Sequence, residues 1–217
     1  MAGKQELKIF VLPIFVDVEK IKNAPVTIDM HKKYPGHDFI LLMMSRFTKE
    51  KNIPTAIRAV GELKKECPTI LLIITGNGPE KINIESIIKN QKLQNNVIVE
   101  EWTGDIASYY KTADAFLLFS AYEGYGRAII EATIAGCPVI MTDVGVAGDV
   151  ICNGENGIII PVGDTEALKK AILDLYKNRK KGIGMGERAQ RDVARHLYAS
   201  KQEYLQMYKK SLEQCLE

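Results

Sequence analysis

Short, continuously apolar runs alternate along the chain with stretches whose apolar residues recur every three or four positions. The runs from Phe39 to Met44, Ile70 to Thr75, Val97 to Val99, Ala115 to Phe119, Pro138 to Met141 and Gly157 to Ile160 read as strands. Most lack the in-and-out alternation of a strand with one wet face, as expected when a parallel sheet is covered on both sides. Between them, Asn52 stands where a helix cap belongs, with Pro54 in the first turn and Ala56, Ile57, Val60 and Leu63 on one face. Asp105 opens a second helix through Tyr110, Arg127 to Ala135 makes a third, and Asp164 opens a fourth along Leu168, Ile172 and Leu175. Strand and helix in alternation predict one α/β domain, a doubly wound, Rossmann-like parallel sheet flanked by helices, with right-handed crossovers.

That pattern occupies residues 39–198. Before it, the stretch from Val26 to Asp38, with Pro35 and Gly36, reads as a linker or loop; after it, residues 199–217 read as a polar helix with Tyr204, Leu205, Tyr208 and Leu212 on one side. At 217 residues, with 46% hydrophobic and 26% charged positions, the chain falls in the soluble globular class. Lys and Arg number 29 against 27 Asp and Glu, too balanced for a nucleic-acid partner. The apolar stretch from Ile9 to Val16 contains Pro13 and is too short to span a bilayer, so the chain is expected to be cytoplasmic. Cys67, Cys137, Cys152 and Cys215 have neither zinc-ligand spacing nor a disulfide framework, and no metal site is expected.

In an open parallel sheet, ligands bind beyond the carboxyl ends of the strands, so the chemistry is sought in the loops there. The first such loop carries Arg46 and Lys51, a planar fork and a point charge suited to phosphate. The second carries Gly76 and Gly78, and the third Trp102, Thr103 and Gly104. The fourth runs from Ser120 through Glu123, Gly124, Tyr125 and Gly126 into the helix that begins at Arg127 and Ala128, whose free amides suit an anion. Glu131 lies farther into that helix, and carboxylates suit sugar hydroxyls because each accepts hydrogen bonds from a vicinal diol. Singly, each has an ordinary explanation: a solvated charge, a turn at Gly76-Asn77-Gly78, a surface Glu. Their placement on one rim favours a diphosphate with sugars at both ends.

The segment from Ser120 to Asp143, with Glu123 and Glu131 separated by seven residues, resembles the donor-site signature of retaining family-four glycosyltransferases of the GT-B fold. Ser45-Arg-Phe-Thr-Lys-Glu-Lys51, Ala113-Asp114, Asn156-Gly157-Ile158 and Pro161 to Asp164 are similar to further motifs of that family. The resemblance runs from about Phe39 to Asn178 and implies that this chain is the C-terminal, donor-binding domain. It implies a nucleotide-diphosphate sugar of UDP or GDP type as substrate, with no cofactor and no bound metal. Arg46 and Lys51 would hold the diphosphate and stabilise the departing nucleotide. Glu131 would bind the ribose, Glu123 with the amides near Gly126 to Ala128 the transferred sugar, and the loop at Trp102, Thr103 and Gly104 would lie by the base. Gly76, Gly78, Tyr125 and Arg127 complete the implied donor site.

Two departures accompany it. Asn52 stands where the family often has Gly, and Val144 to Asp149 replaces the family's Gly-Gly and Glu. The family also carries an N-terminal acceptor domain, for which this chain has no room. The resemblance therefore makes residues 1–38 an interdomain segment and 199–217 a helix that crosses to the acceptor half, whether that half lies in the same protein or in a separate chain. It leaves room for peripheral membrane association through that half, and for a hexosyl acceptor that is a glycan or lipid-linked. A non-catalytic nucleotide-binding or partner-binding remnant, and a phosphorylase-like member of the same fold, remain as alternatives.

Overall fold

The computed structural model describes residues 9–216. Two short helices, α1 (Val18–Lys22) and α2 (Met30–Lys33), precede the first strand. The strands are β1 (Phe39–Met44), β2 (Ile70–Thr75), β3 (Val97–Glu100), β4 (Ala115–Leu118), β5 (Val139–Thr142) and β6 (Ile158–Ile160). Helices α3 (Ile53–Leu63), α4 (Lys81–Asn90), α5 (Ile106–Thr112) and α6 (Arg127–Ile134) join successive strands from β1 to β5. After β6 come α7 (Thr165–Lys177), α8 (Arg179–Val193) and α9 (Lys201–Leu216). Every neighbouring strand pair is parallel, in the order β3-β2-β1-β4-β5-β6. The order reverses between β1 and β4, which opens a crevice at the carboxyl ends of those two strands.

The continuous apolar runs have a direct cause in this layering. Phe39, Leu41 and Met43 of β1 join one core cluster with Ile57, Val60 and Leu72, under α3, α4 and α7. The intervening Ile40, Leu42 and Met44 join the other, with Tyr110, Ile129 and Ile130 of α5 and α6. Side chains alternate across a strand, so a strand covered on both faces must be apolar at every position.

The helix starts differ in how they are made. Asp164 caps α7 by accepting from the Ala167 amide at 2.8 Å, and Asp105 caps α5 by accepting from the Ser108 amide at 3.3 Å, both through the side chain as their type predicts. Asn52 does not cap α3 that way: it takes a left-handed conformation, φ 50°, and its side chain accepts from the Thr55 hydroxyl at 2.7 Å instead. It ends a 3-10 turn over Lys49–Lys51, and that turn sets the position of Lys51.

The stretch expected as a loop before β1 contains α2. Asp29 caps that helix on the amides of His31 and Lys32, and Met30 is fully buried. Glu100, at the end of β3, holds this lead-in by accepting from Lys33 at 2.6 Å and from the hydroxyls of Tyr34 and Tyr109. Burial raises the Glu100 carboxyl, but these three donors more than offset it, and the group ends below its ordinary range.

Candidate functional site

The reversal between β1 and β4 holds a cleft of about 740 Å³. Of the residues singled out from sequence, Arg46, Gly76, Trp102, Arg127, Ala128 and Glu131 line it. They come from four separate strand-following segments, brought together because all those segments leave the same edge of the sheet. Ser45 and Asn77, from the loops after β1 and β2, complete the wall with Met44, Ile106 and Tyr110, and these last three were not anticipated. Ile106 and Tyr110 sit on α5, a helix on which the sequence singled out no site residue.

The start of α6 forms one end of the cleft. Gly126 occupies the cap position with φ 90°, and no side chain caps the helix. The first amides of a helix have no partner within it, so those of Arg127 and Ala128 stay available to an anion. Arg127 breaks a local rule here, since a cation at a helix N-terminus opposes the dipole. Its Nε donates to Glu131 Oε1 at 2.8 Å, while the side chain stays mostly exposed.

Glu131 is only 7% exposed, set among Ile129, Ile130 and Ala132 on the buried side of α6. Its second oxygen, Oε2, accepts from the Tyr110 hydroxyl at 3.3 Å. Burial first, and the adjoining Glu131 charge second, push the Tyr110 phenol far above its ordinary value, so that it remains a donor.

Lys51 and Glu123 are not among the residues lining the cleft, but they meet each other across 72 residues of sequence. Lys51 Nζ lies 2.5 Å from Glu123 Oε1, and both side chains are largely buried. Ser120 Oγ donates to the same carboxylate oxygen at 2.8 Å, and the Ala121 amide donates to the Glu50 carbonyl at 2.7 Å. The Lys51–Glu123 and Ala121–Glu50 bonds tie the loop after β4 to the loop after β1. Lys51 has three N–H donors and spends one on Glu123, leaving capacity for a further anion.

The glycines divide by cause. A Cβ on Gly76 would lie 1.9 Å from the Ser45 carbonyl oxygen, and one on Gly78 would lie 2.5 Å from that of Phe47. Both are required because the loop after β2 lies directly on the loop after β1. Gly76 also reaches the cleft, whereas Gly78 does not line it. Gly145, at φ 59°, likewise lets the loop after β5 press on Tyr125, whose carbonyl oxygen a Cβ would meet at 2.6 Å.

The remaining predicted residues surround the cleft. Gly104 lines an adjoining hollow of about 200 Å³ that shares Arg127 and Glu131 with it. Thr103 accepts from the Asp105 amide at 3.1 Å and shapes the entry to α5. Tyr125 faces a separate hollow of about 590 Å³, beside Pro13, Asp149 and Tyr198. Trp102 is 59% exposed on the cleft rim, a large apolar ring left in solvent.

A parallel sheet that gathers an uncapped helix start, a guanidinium and a buried carboxylate at its topological switch point belongs to the doubly wound class of α/β folds, whose ligands bind at that point. Within that class, the chain belongs to the glycosyl transferases group 1 family, whose profile matches residues 27–192. Its layers match the C-terminal domain of the GT-B arrangement. It is 32% identical over 154 residues to N-acetyl-alpha-D-glucosaminyl L-malate synthase of Bacillus anthracis, covering 71% of this chain and 40% of that protein. TarM of S. aureus, solved with UDP, superposes with a TM-score of 0.80 at 24% identity, over 93% of this chain and 39% of TarM. The pneumococcal O-GlcNAc transferase GtfA, solved with UDP and GlcNAc, superposes with a TM-score of 0.70 at 27% identity, over 84% of this chain and 37% of GtfA. The chain thus spans two fifths or less of the length of these relatives.

Proposed function

We propose that this chain is the donor-binding half of a retaining glycosyltransferase. It holds a UDP-sugar in the cleft, for transfer of the hexosyl group to a glycan or lipid-linked acceptor carried by further polypeptide. The observation that carries this function is the convergence of Arg46, the free amides of α6 and the buried Glu131 on one 740 Å³ cleft. UDP is preferred over GDP because both superposed relatives were solved with it.

In this reading the roles are those the family resemblance implies. Glu131 presents its carboxylate to the ribose diol, and Arg46 and the α6 amides face the diphosphate. Lys51, anchored by Glu123, adds positive charge near the bond that breaks. Fixed cations stabilise a leaving diphosphate without reorganising as its charge develops, usually the largest catalytic contribution in such sites. Glu123 Oε2 has no protein partner among the described residues, which leaves it free in this reading to accept from a sugar hydroxyl. The exposed Leu205, Tyr208 and Leu212 of α9 offer an apolar face for the acceptor half.

Calorimetric titration with UDP, GDP and ADP, in the presence of a chelator, tests this function. Saturable UDP binding is expected, abolished in Glu131→Ala and weakened by about 1.5–3 kcal/mol in Arg46→Ala, the range for a hydrogen bond to a charged group. Absence of binding by all three nucleotides would move the non-catalytic alternative ahead.

A further inference from the structure

Resting on the donor-binding function above, we infer that Tyr110 is a positioning residue that makes the site selective for a nucleotide with an intact ribose diol. It does so by holding one oxygen of the buried Glu131 carboxylate. Each carboxylate oxygen has two acceptor sites. Arg127 Nε takes one on Oε1 and the Tyr110 hydroxyl takes one on Oε2. One site remains on each oxygen, and two hydrogen bonds are what a vicinal diol donates. With both oxygens held, the carboxylate cannot turn about its terminal torsion, which is otherwise broad.

Tyr110 suits this task and no direct one. Its ring is fully buried and packs edge-on against Phe116, with centroids 5.3 Å apart. Glu131 is the hydroxyl's hydrogen-bond partner among the described residues. Carrying no charge, Tyr110 fixes the carboxylate without competing for it as strongly as a cation would. Arg127 alone would not fix the group, because its guanidinium is 64% exposed and free to swing toward a phosphate.

The decisive comparison is the affinity of the intact chain for UDP and for 2′-deoxy-UDP, measured by calorimetry in the parent and in Tyr110→Phe. The parent should bind UDP at least about tenfold more tightly than the deoxy form, the factor for one hydrogen bond to a charged group. In Tyr110→Phe, which keeps the buried ring, that ratio should fall to about two- or threefold, with the melting temperature little changed. Adding Tyr110→Phe to Glu131→Gln should lower the ratio no further, since the carboxylate to be held is already gone. An unchanged ratio, an equal loss for both nucleotides, or an additional fall in the double variant would each overturn the inference. Failure of the parent to bind UDP at all would instead overturn the donor-binding function itself.

Discussion

At the scale of single residues, backbone geometry accounts for features that side-chain chemistry leaves obscure. Asn52 occupies left-handed backbone at φ 50°, a region that costs other non-glycine residues about 1–2 kcal/mol. Asn is among the few side chains that tolerate it. Asn52→Ala should therefore lower unfolding stability by about 1–2 kcal/mol, whereas Asn52→Gly should stay near the parent in denaturant titration. Equal losses in the two would show that the Thr55 hydrogen bond, not the backbone, sets the preference. Glu131 was partly legible at this scale: its apolar neighbours Ile129, Ile130 and Ala132 favour burial over an ordinary surface carboxylate, and the structure buries it. Gly78 was only half legible, since sequence marks a glycine but not whether a ligand or a carbonyl oxygen demands it. Tyr110 was not legible, because its role comes from a hydroxyl meeting a helix 21 residues away.

Among elements, the strands stood out because burial on both faces writes a continuous apolar signal. Of the longer helices, α4 and α8 escaped, for different reasons. In α4, Ile82 points into solvent at 81% exposure and blurs the apolar stripe. In α8, Gly182, Gly184 and Gly186 depress helix propensity across the middle of the segment. Packing supplies what propensity withholds: a Cβ on Gly186 would lie 2.2 Å from the Gly136 carbonyl oxygen, so only glycine lets α8 approach the turn before β5. Gly184 meets nothing within 4 Å. Gly184→Ala should then raise stability by about 0.5–1 kcal/mol through helix propensity, while Gly186→Ala should destabilise strongly by forcing α8 off that turn. Thermal melts of the two variants should move in opposite directions, and a matching shift would mean that α8 does not pack as described.

For the molecule as a whole, the sheet order was foreseen only as a class, because nothing local records that β1 neighbours β4. That adjacency assembles the cleft and also leaves its far side open. Supplied with UDP-glucose or UDP-N-acetylglucosamine and candidate acceptors, the chain by itself should release no UDP above the uncatalysed rate. Release that restarts on mixing with an acceptor-domain polypeptide would support the half-enzyme, and robust release by the chain alone would mean that it already carries an acceptor site.

The strand order has a consequence for how the protein is made. One edge of β1 is paired by β2, but the other waits for β4, whose Ala115 and Phe116 lie opposite Leu41 and Leu42. A ribosome delivers the chain from its N-terminus, so the seam that becomes the cleft is an unpaired strand edge until β4 emerges. Such edges invite pairing with other chains. The crevice is therefore also a place where a nascent molecule is open to a wrong partner.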